Sequence, residues 1–146
     1  MSKNSSRRPP AIGPGSPCPC GLDSPYGDCC GALHGGRREA ATAERLMRSR
    51  YTAFVVRDAA YLLRSWHPST RPTGLDFDPD QRWTRLDVLA TTGGSAFHTE
   101  GTVEFRAHFT VRGRADAQHE DSRFVRDEGR WVYLGPVPPP GARAGF

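Results

Sequence analysis

Lysine is nearly missing: the 146-residue chain has one, Lys3, against nineteen arginines. Long apolar runs are missing as well, and none approaches the ~20 residues that a membrane-spanning helix needs. No hydrophobic segment follows Lys3, Arg7 and Arg8, so the start does not read as a secretory signal, and the cytoplasm is the expected compartment. No internal repeat is visible. Cysteine is absent everywhere except one window, where all four fall within the thirteen positions from Cys18 to Cys30. The net charge of +4 is small and spread along the chain. A nucleic-acid binder concentrates such charge on one face, so nucleic acid is disfavoured as a partner.

What is present suits one soluble domain with a small appendage. Residues 1–16 are polar, rich in proline and glycine, and read as a flexible tail. The cysteine window, with its flanks, occupies 17–35, and Gly35-Gly36 is a hinge candidate. An α+β domain then runs over 38–135, followed by a Pro-rich tail over 136–146. Thr42 is an N-cap candidate, with apolar residues at helical spacing from Ala43 to Phe54. Asp58 is a second cap, and Pro68 stops the helix that carries Tyr61, Leu62 and Trp66. Two helices are therefore expected, at about 42–57 and 59–66.

Beyond a loop over 68–80 the period changes from 3.6 to 2. Val103, Phe105, Ala107, Phe109 and Val111 alternate with polar residues, the clearest strand pattern in the chain. Trp83–Thr91, His119–Arg126 and Trp131–Leu134 read as further strands. Turns are expected at Gly113–Asp116 and Asp127-Glu128-Gly129. Helices first and antiparallel strands afterwards imply a curved sheet wrapped around N-terminal helices, open at one end.

The cysteines have the chemistry of a metal site. In a reducing compartment four clustered thiols point to metal binding or redox chemistry and not to structural disulfides. Cys18 and Cys20 can converge if Pro19 and Gly21 turn the backbone tightly, and Cys29 and Cys30 supply a second pair. Zinc suits such a tetrahedral set; iron also accepts thiolates. His34, one helical turn beyond Cys30, is an alternative fourth ligand. The competing reading is a redox dithiol or incidental buried thiols. Vicinal Cys29-Cys30 is poor disulfide geometry, and a redox pair is usually Cys-x-x-Cys.

Cys18-Pro19-Cys20-Gly21, Tyr26 and Cys29-Cys30-Gly31 resemble the SEC-C motif, a small metal-binding module also found at the C-terminus of the SecA translocation ATPase. The resemblance implies Cys18, Cys20, Cys29 and Cys30 as ligands; it departs from the motif at Leu22-Asp23-Ser24. The segments Leu46–Phe54, Trp66-His67-Pro68, His119–Phe124 and Gly129–Tyr133 resemble the bacterial YchJ family. That family joins a SEC-C motif to a cone-shaped domain similar to nuclear transport factor 2 (NTF2-like). The resemblance implies an architecture and names no activity.

A cone of this kind can bind small molecules, catalyse, or only support a docking module. Arg48, Arg50, His67, His119, Glu120 and Ser122 are the candidates to line it or to form a structural ion pair. His119 and Glu120 are adjacent in an extended segment, so they point to opposite faces. Glu120 beside Phe124 needs a cation, and Arg48 or Arg50 is the natural supplier. The sequence reading is an interaction protein without catalysis, its zinc-ordered segment meeting a protein partner. The alternative is a small-molecule binder or enzyme using His119, Glu120, Arg48 and Arg50.

Overall fold

The computed structural model describes residues 11–138. Of the expected tails over 1–16 and 136–146, residues 1–10 and 139–146 lie outside the described residues; the Pro14 and Ser16 carbonyls accept from the Gly27 and Tyr26 N–H groups of the cysteine module, and Pro136 belongs to the last strand. Three helices precede four strands: α1 (Cys30–His34), α2 (Ala43–Val56), α3 (Ala59–Arg64), then β1 (Gln81–Gly93), β2 (Glu100–Val111), β3 (Arg114–Asp127) and β4 (Arg130–Pro136). The strands form one antiparallel sheet in the order β1-β2-β3-β4. This is the expected α+β cone, with a curved sheet packed on N-terminal helices.

The helix starts are chemically specified. The Thr42 hydroxyl accepts from the Arg45 N–H at 3.1 Å, and an Asp58 carboxylate oxygen accepts from the Tyr61 N–H at 3.0 Å. A further donor at the α2 start, the Ala43 N–H, reaches the Gly94 carbonyl at 3.0 Å. The first turn of α2 is thereby tied to the β1–β2 connection. There the chain needs glycine: Gly94 has a φ of 77°, and a Cβ on Gly101 would lie 2.5 Å from the Gly94 backbone.

The β2–β3 connection differs from the expected Gly113–Asp116 turn. It is a two-residue turn at Arg112-Gly113, with φ values of 52° and 80°, so β3 already begins at Arg114. The left-handed arginine gives no sequence signal of the Asn-Gly kind. The β3–β4 turn at Glu128-Gly129 falls where expected.

β1 carries two bulges, at Thr84 and Leu89, where the register against β2 slips by one residue. The first keeps Trp83, Leu86 and Val88 opposite Phe109, Ala107 and Phe105, on the inner face, and the second sets Thr91 opposite Val103. α2 packs on that face, with Leu46, Met47, Tyr51 and Val55 meeting Leu86, Val103, Phe124 and Trp131. A second cluster joins Leu33, Ala53, Tyr61 and Leu62, binding α1 and α3 to the other side of α2. No described helix is long and apolar enough to cross a membrane.

Two substitutions separate the local terms. Thr42→Ala should cost about 1 kcal/mol of stability in urea unfolding. Gly101→Ala should cost about 1–3 kcal/mol through backbone overpacking. An unchanged midpoint for Gly101→Ala would show that the β1–β2 contact is looser than described.

Candidate metal centre and cone cavity

The metal candidate is built from two tight turns. Pro17 pairs with Pro25 in an isolated antiparallel bridge, and the Cys18 N–H donates to the Ser24 carbonyl at 3.0 Å. The Gly21 N–H returns to the Cys18 carbonyl at 3.3 Å, with Gly21 at a φ of 93°. This knuckle brings Cys18 and Cys20 together. A 3-10 turn over Tyr26–Asp28 leads into α1 and delivers Cys29 and Cys30.

All four Sγ atoms lie within 4.8 Å of one another, and all four cysteines are buried. Cys20 Sγ is 3.7 Å from Cys29 Sγ. A tetrahedral ion with metal–sulfur bonds of about 2.3 Å requires edges of about 3.8 Å, so the donor set fits such an ion. As bare groups the four cannot all ionise. Contacts from Cys20 and Cys30 pull the Cys18 thiol down, while the contact with Cys18 and burial push Cys30 up. A coordinated cation removes this conflict, since ligating thiols are held deprotonated.

α2 closes the site from behind. Arg45 Nη1 donates to Cys29 Sγ at 3.4 Å, Arg48 Nη1 donates to the Cys20 carbonyl at 2.6 Å, and Thr52 Oγ1 lies 4.0 Å from Cys18 Sγ. Arg45 and Thr52 were not singled out in the sequence; their i, i+3, i+7 spacing with Arg48 is the signal that one helix face meets the module.

His34 is not with the sulfurs. Its Nε2 donates to the Ser49 carbonyl at 2.9 Å, and its Nδ1 accepts from the Tyr26 hydroxyl at 2.7 Å. Burial holds the imidazole below its ordinary pKa, which suits this neutral tautomer. With both ring nitrogens engaged, His34 pins α1 to α2.

The opposite side of α2 faces a cavity of about 270 Å³ inside the cone. Met47, Phe54, Trp83 and Phe105 give it an apolar wall, and its polar groups include Arg50, Gln118, Glu120, Ser122 and Tyr133. Trp66 and Trp83 also line it. The expected ion pair between Glu120 and Arg48 or Arg50 is not formed. Arg48 turns to the metal module and pairs with Glu44 at 2.9 Å. Glu120 Oε2 accepts from Ser122 Oγ at 2.5 Å and from the Tyr133 hydroxyl at 2.7 Å. Burial and the bond to Glu120 push the Tyr133 phenol above its ordinary pKa.

Arg50 is buried, 6% exposed, without touching a carboxylate among the described residues. Its Nη1 donates to the Leu62 carbonyl at 2.8 Å and to Ser65 Oγ at 2.7 Å. Its guanidinium lies 4.9 Å from the Trp66 ring centroid and 4.7 Å from that of Tyr133. Desolvation lowers its pKa to about 10.

The remaining candidates lie elsewhere. His119 is on the outer face, its Nε2 2.6 Å from Glu104 Oε2. His67 follows α3 and contacts Ser69 Oγ at 2.7 Å through Nδ1. Of the six pocket candidates, Arg50, Glu120 and Ser122 line the cavity, whereas Arg48, His67 and His119 do not.

Comparison with known proteins agrees with this division into module and cone. Residues 42–136 match the family described as YchJ, middle NTF2-like domain. A UPF0225 protein of Streptomyces coelicolor is 59% identical over 120 residues, covering 82% of this chain and 94% of the relative. One from Ralstonia nicotianae is 48% identical over 141 residues, covering 88% and 96%. The solution structure of a SEC-C motif containing protein from Rhodopseudomonas palustris superposes with a TM-score of 0.72 at 34% identity, covering 84% of this chain and 98% of that one. A crystal structure of a SEC-C motif containing protein from Psychrobacter arcticus gives 0.66 at 27% identity, covering 86% and 84%. With likeness of this extent in sequence and fold, the chain belongs to the UPF0225 family, whose cone is the YchJ-type NTF2-like domain.

Proposed function

We propose that this chain is a small-molecule-binding protein whose cone cavity is the working site, and that its four cysteines hold a structural zinc ion. The observation that carries the reading is the cavity itself, about 270 Å³, with a buried guanidinium and a carboxylate on its wall that do not neutralise each other by contact. Zinc is favoured by four thiols at tetrahedral spacing; iron is the other ion such a set takes. Cys18, Cys20, Cys29 and Cys30 are its ligands. Their burial leaves no open coordination position, which suits a structural role and not a catalytic one.

Binding is favoured over turnover because the histidines singled out in the sequence are engaged away from the cavity. A protein partner for the metal segment has less support. The exposed large apolar side chains among the described residues, Leu89 and Phe97, lie on β1 and in the β1–β2 connection.

Elemental analysis of the purified protein should find about one zinc per chain, lost in Cys20→Ser and Cys29→Ser. Full metal retention in both variants sinks the ligand assignment. Separately, neutral ring-bearing probes such as 2-phenylethanol should change the tryptophan fluorescence through Trp66 and Trp83, and Ala107→Leu, which fills the cavity, should remove the response. An equal response in Ala107→Leu places binding outside the cone.

A further inference from the structure

The cavity presents two charges of opposite sign that are kept apart. Tyr133 stands between them, with the Arg50 guanidinium over its ring and the Glu120 carboxylate at its hydroxyl. Each charge is only half answered. Arg50 uses Nη1 for protein acceptors, while its Nε and Nη2 have no partner among the described residues. Glu120 uses Oε2 for two hydroxyl donors, while Oε1 has none among the described residues. An acid entering the cavity would satisfy Arg50 but place a second negative charge near Glu120. An amine would satisfy Glu120 and repel Arg50. A ligand carrying both charges leaves neither the buried Arg50 nor the half-buried Glu120 unanswered and adds no net charge to the cavity.

We propose that the cone binds a free hydrophobic α-amino acid as its zwitterion, the carboxylate on Arg50, the ammonium on Glu120 and the side chain against the aromatic wall. The head group of an α-amino acid, with a hydrogen bond of about 2.8 Å at each end, bridges roughly 8 Å, the scale of an arrangement in which the guanidinium lies 4.7 Å from the Tyr133 ring centroid and the carboxylate 2.7 Å from its hydroxyl. The opposite wall, from Met47, Phe54, Trp83 and Phe105, selects an apolar or ring-bearing side chain over a polar one. The cavity volume of about 270 Å³ accommodates a single residue and not a peptide.

This inference rests on the cavity reading above, and the test separates the two. Calorimetric titration of the full-length, zinc-loaded protein compares L-phenylalanine, 3-phenylpropionate, phenethylamine and the neutral 2-phenylethanol. Phenylalanine should bind at least about tenfold tighter than either singly charged analogue, the scale of one lost charge-assisted contact. Glu120→Gln should erase its advantage over 3-phenylpropionate, and Arg50→Lys, which keeps the charge, should weaken it without abolishing binding. If 3-phenylpropionate matches phenylalanine and ignores Glu120→Gln, the zwitterion assignment fails while the cavity stands. If 2-phenylethanol binds and phenylalanine does not, the assignment fails in the same way. If none of the four binds, the cavity reading falls and takes the inference with it.

Discussion

Four sulfur atoms packed within 4.8 Å in a dry interior make a demand that the single guanidinium beside them, Arg45 at Cys29, does not meet for the whole cluster. As thiolates they repel one another, and as thiols they make only weak hydrogen bonds, so a cation is what makes their company favourable. The N-terminal module depends on this. It consists of a knuckle, a three-residue 3-10 turn and a five-residue helix, none long enough to hold itself. Its geometry comes from the shared ligand point and from what α2 lends it: Arg45 toward a sulfur, Arg48 toward a carbonyl, and Thr52 at the edge of the cluster.

α2 is therefore the element on which both sites converge. One face, carrying Arg45, Arg48 and Thr52, closes the metal module; another, carrying Met47, Arg50 and Phe54, roofs the cavity. Nine of its fourteen residues are buried, so it behaves as a core element and not as an amphipathic surface helix. Arg50 is the costly one. Its charge is retained by a carbonyl, a serine hydroxyl and two aromatic faces, the latter worth about 0.5–2 kcal/mol each. Cavity and cluster share a single rigid support, so displacing α2 at one end is felt at the other.

The cysteine cluster, the two helix caps and the alternation of β2 were legible because each is a local pattern with a local cause. Thr42 and Asp58 cap where their chemistry says they should. β1 was harder to read, because its bulges at Thr84 and Leu89 break the two-residue period that betrays a strand. The mistaken ion pair has a simple geometric source. Arg48 and Arg50 are two residues apart, about 200° around a helix, so they cannot serve the same site. Which of them met Glu120 was undecidable without the packing, and in the event neither does. Tyr133 was missed as the hydroxyl that holds Glu120 because the two lie on different strands, and only the pairing of Tyr133 with Phe124 sets it on the inner face with Ser122 and Glu120.

The two margins of the sheet are treated differently. β4 is shielded: the Tyr133 N–H donates to the Ser65 carbonyl, the His67 N–H donates to the Tyr133 carbonyl, and the Thr70 hydroxyl donates to the Leu134 carbonyl. β1, the other outer strand, has no such row of bonds among the described residues beyond Arg57 reaching the Gln81 carbonyl at 3.3 Å, and an edge this open would invite another chain to add a strand. The bulge at Thr84 that aims both Trp83 and Val88 inward also interrupts that edge, as does the one at Leu89, and Arg82, Arg85 and Asp87 set charges along it. A device that shapes the cone cavity thus also makes this border a poorer template for strand addition.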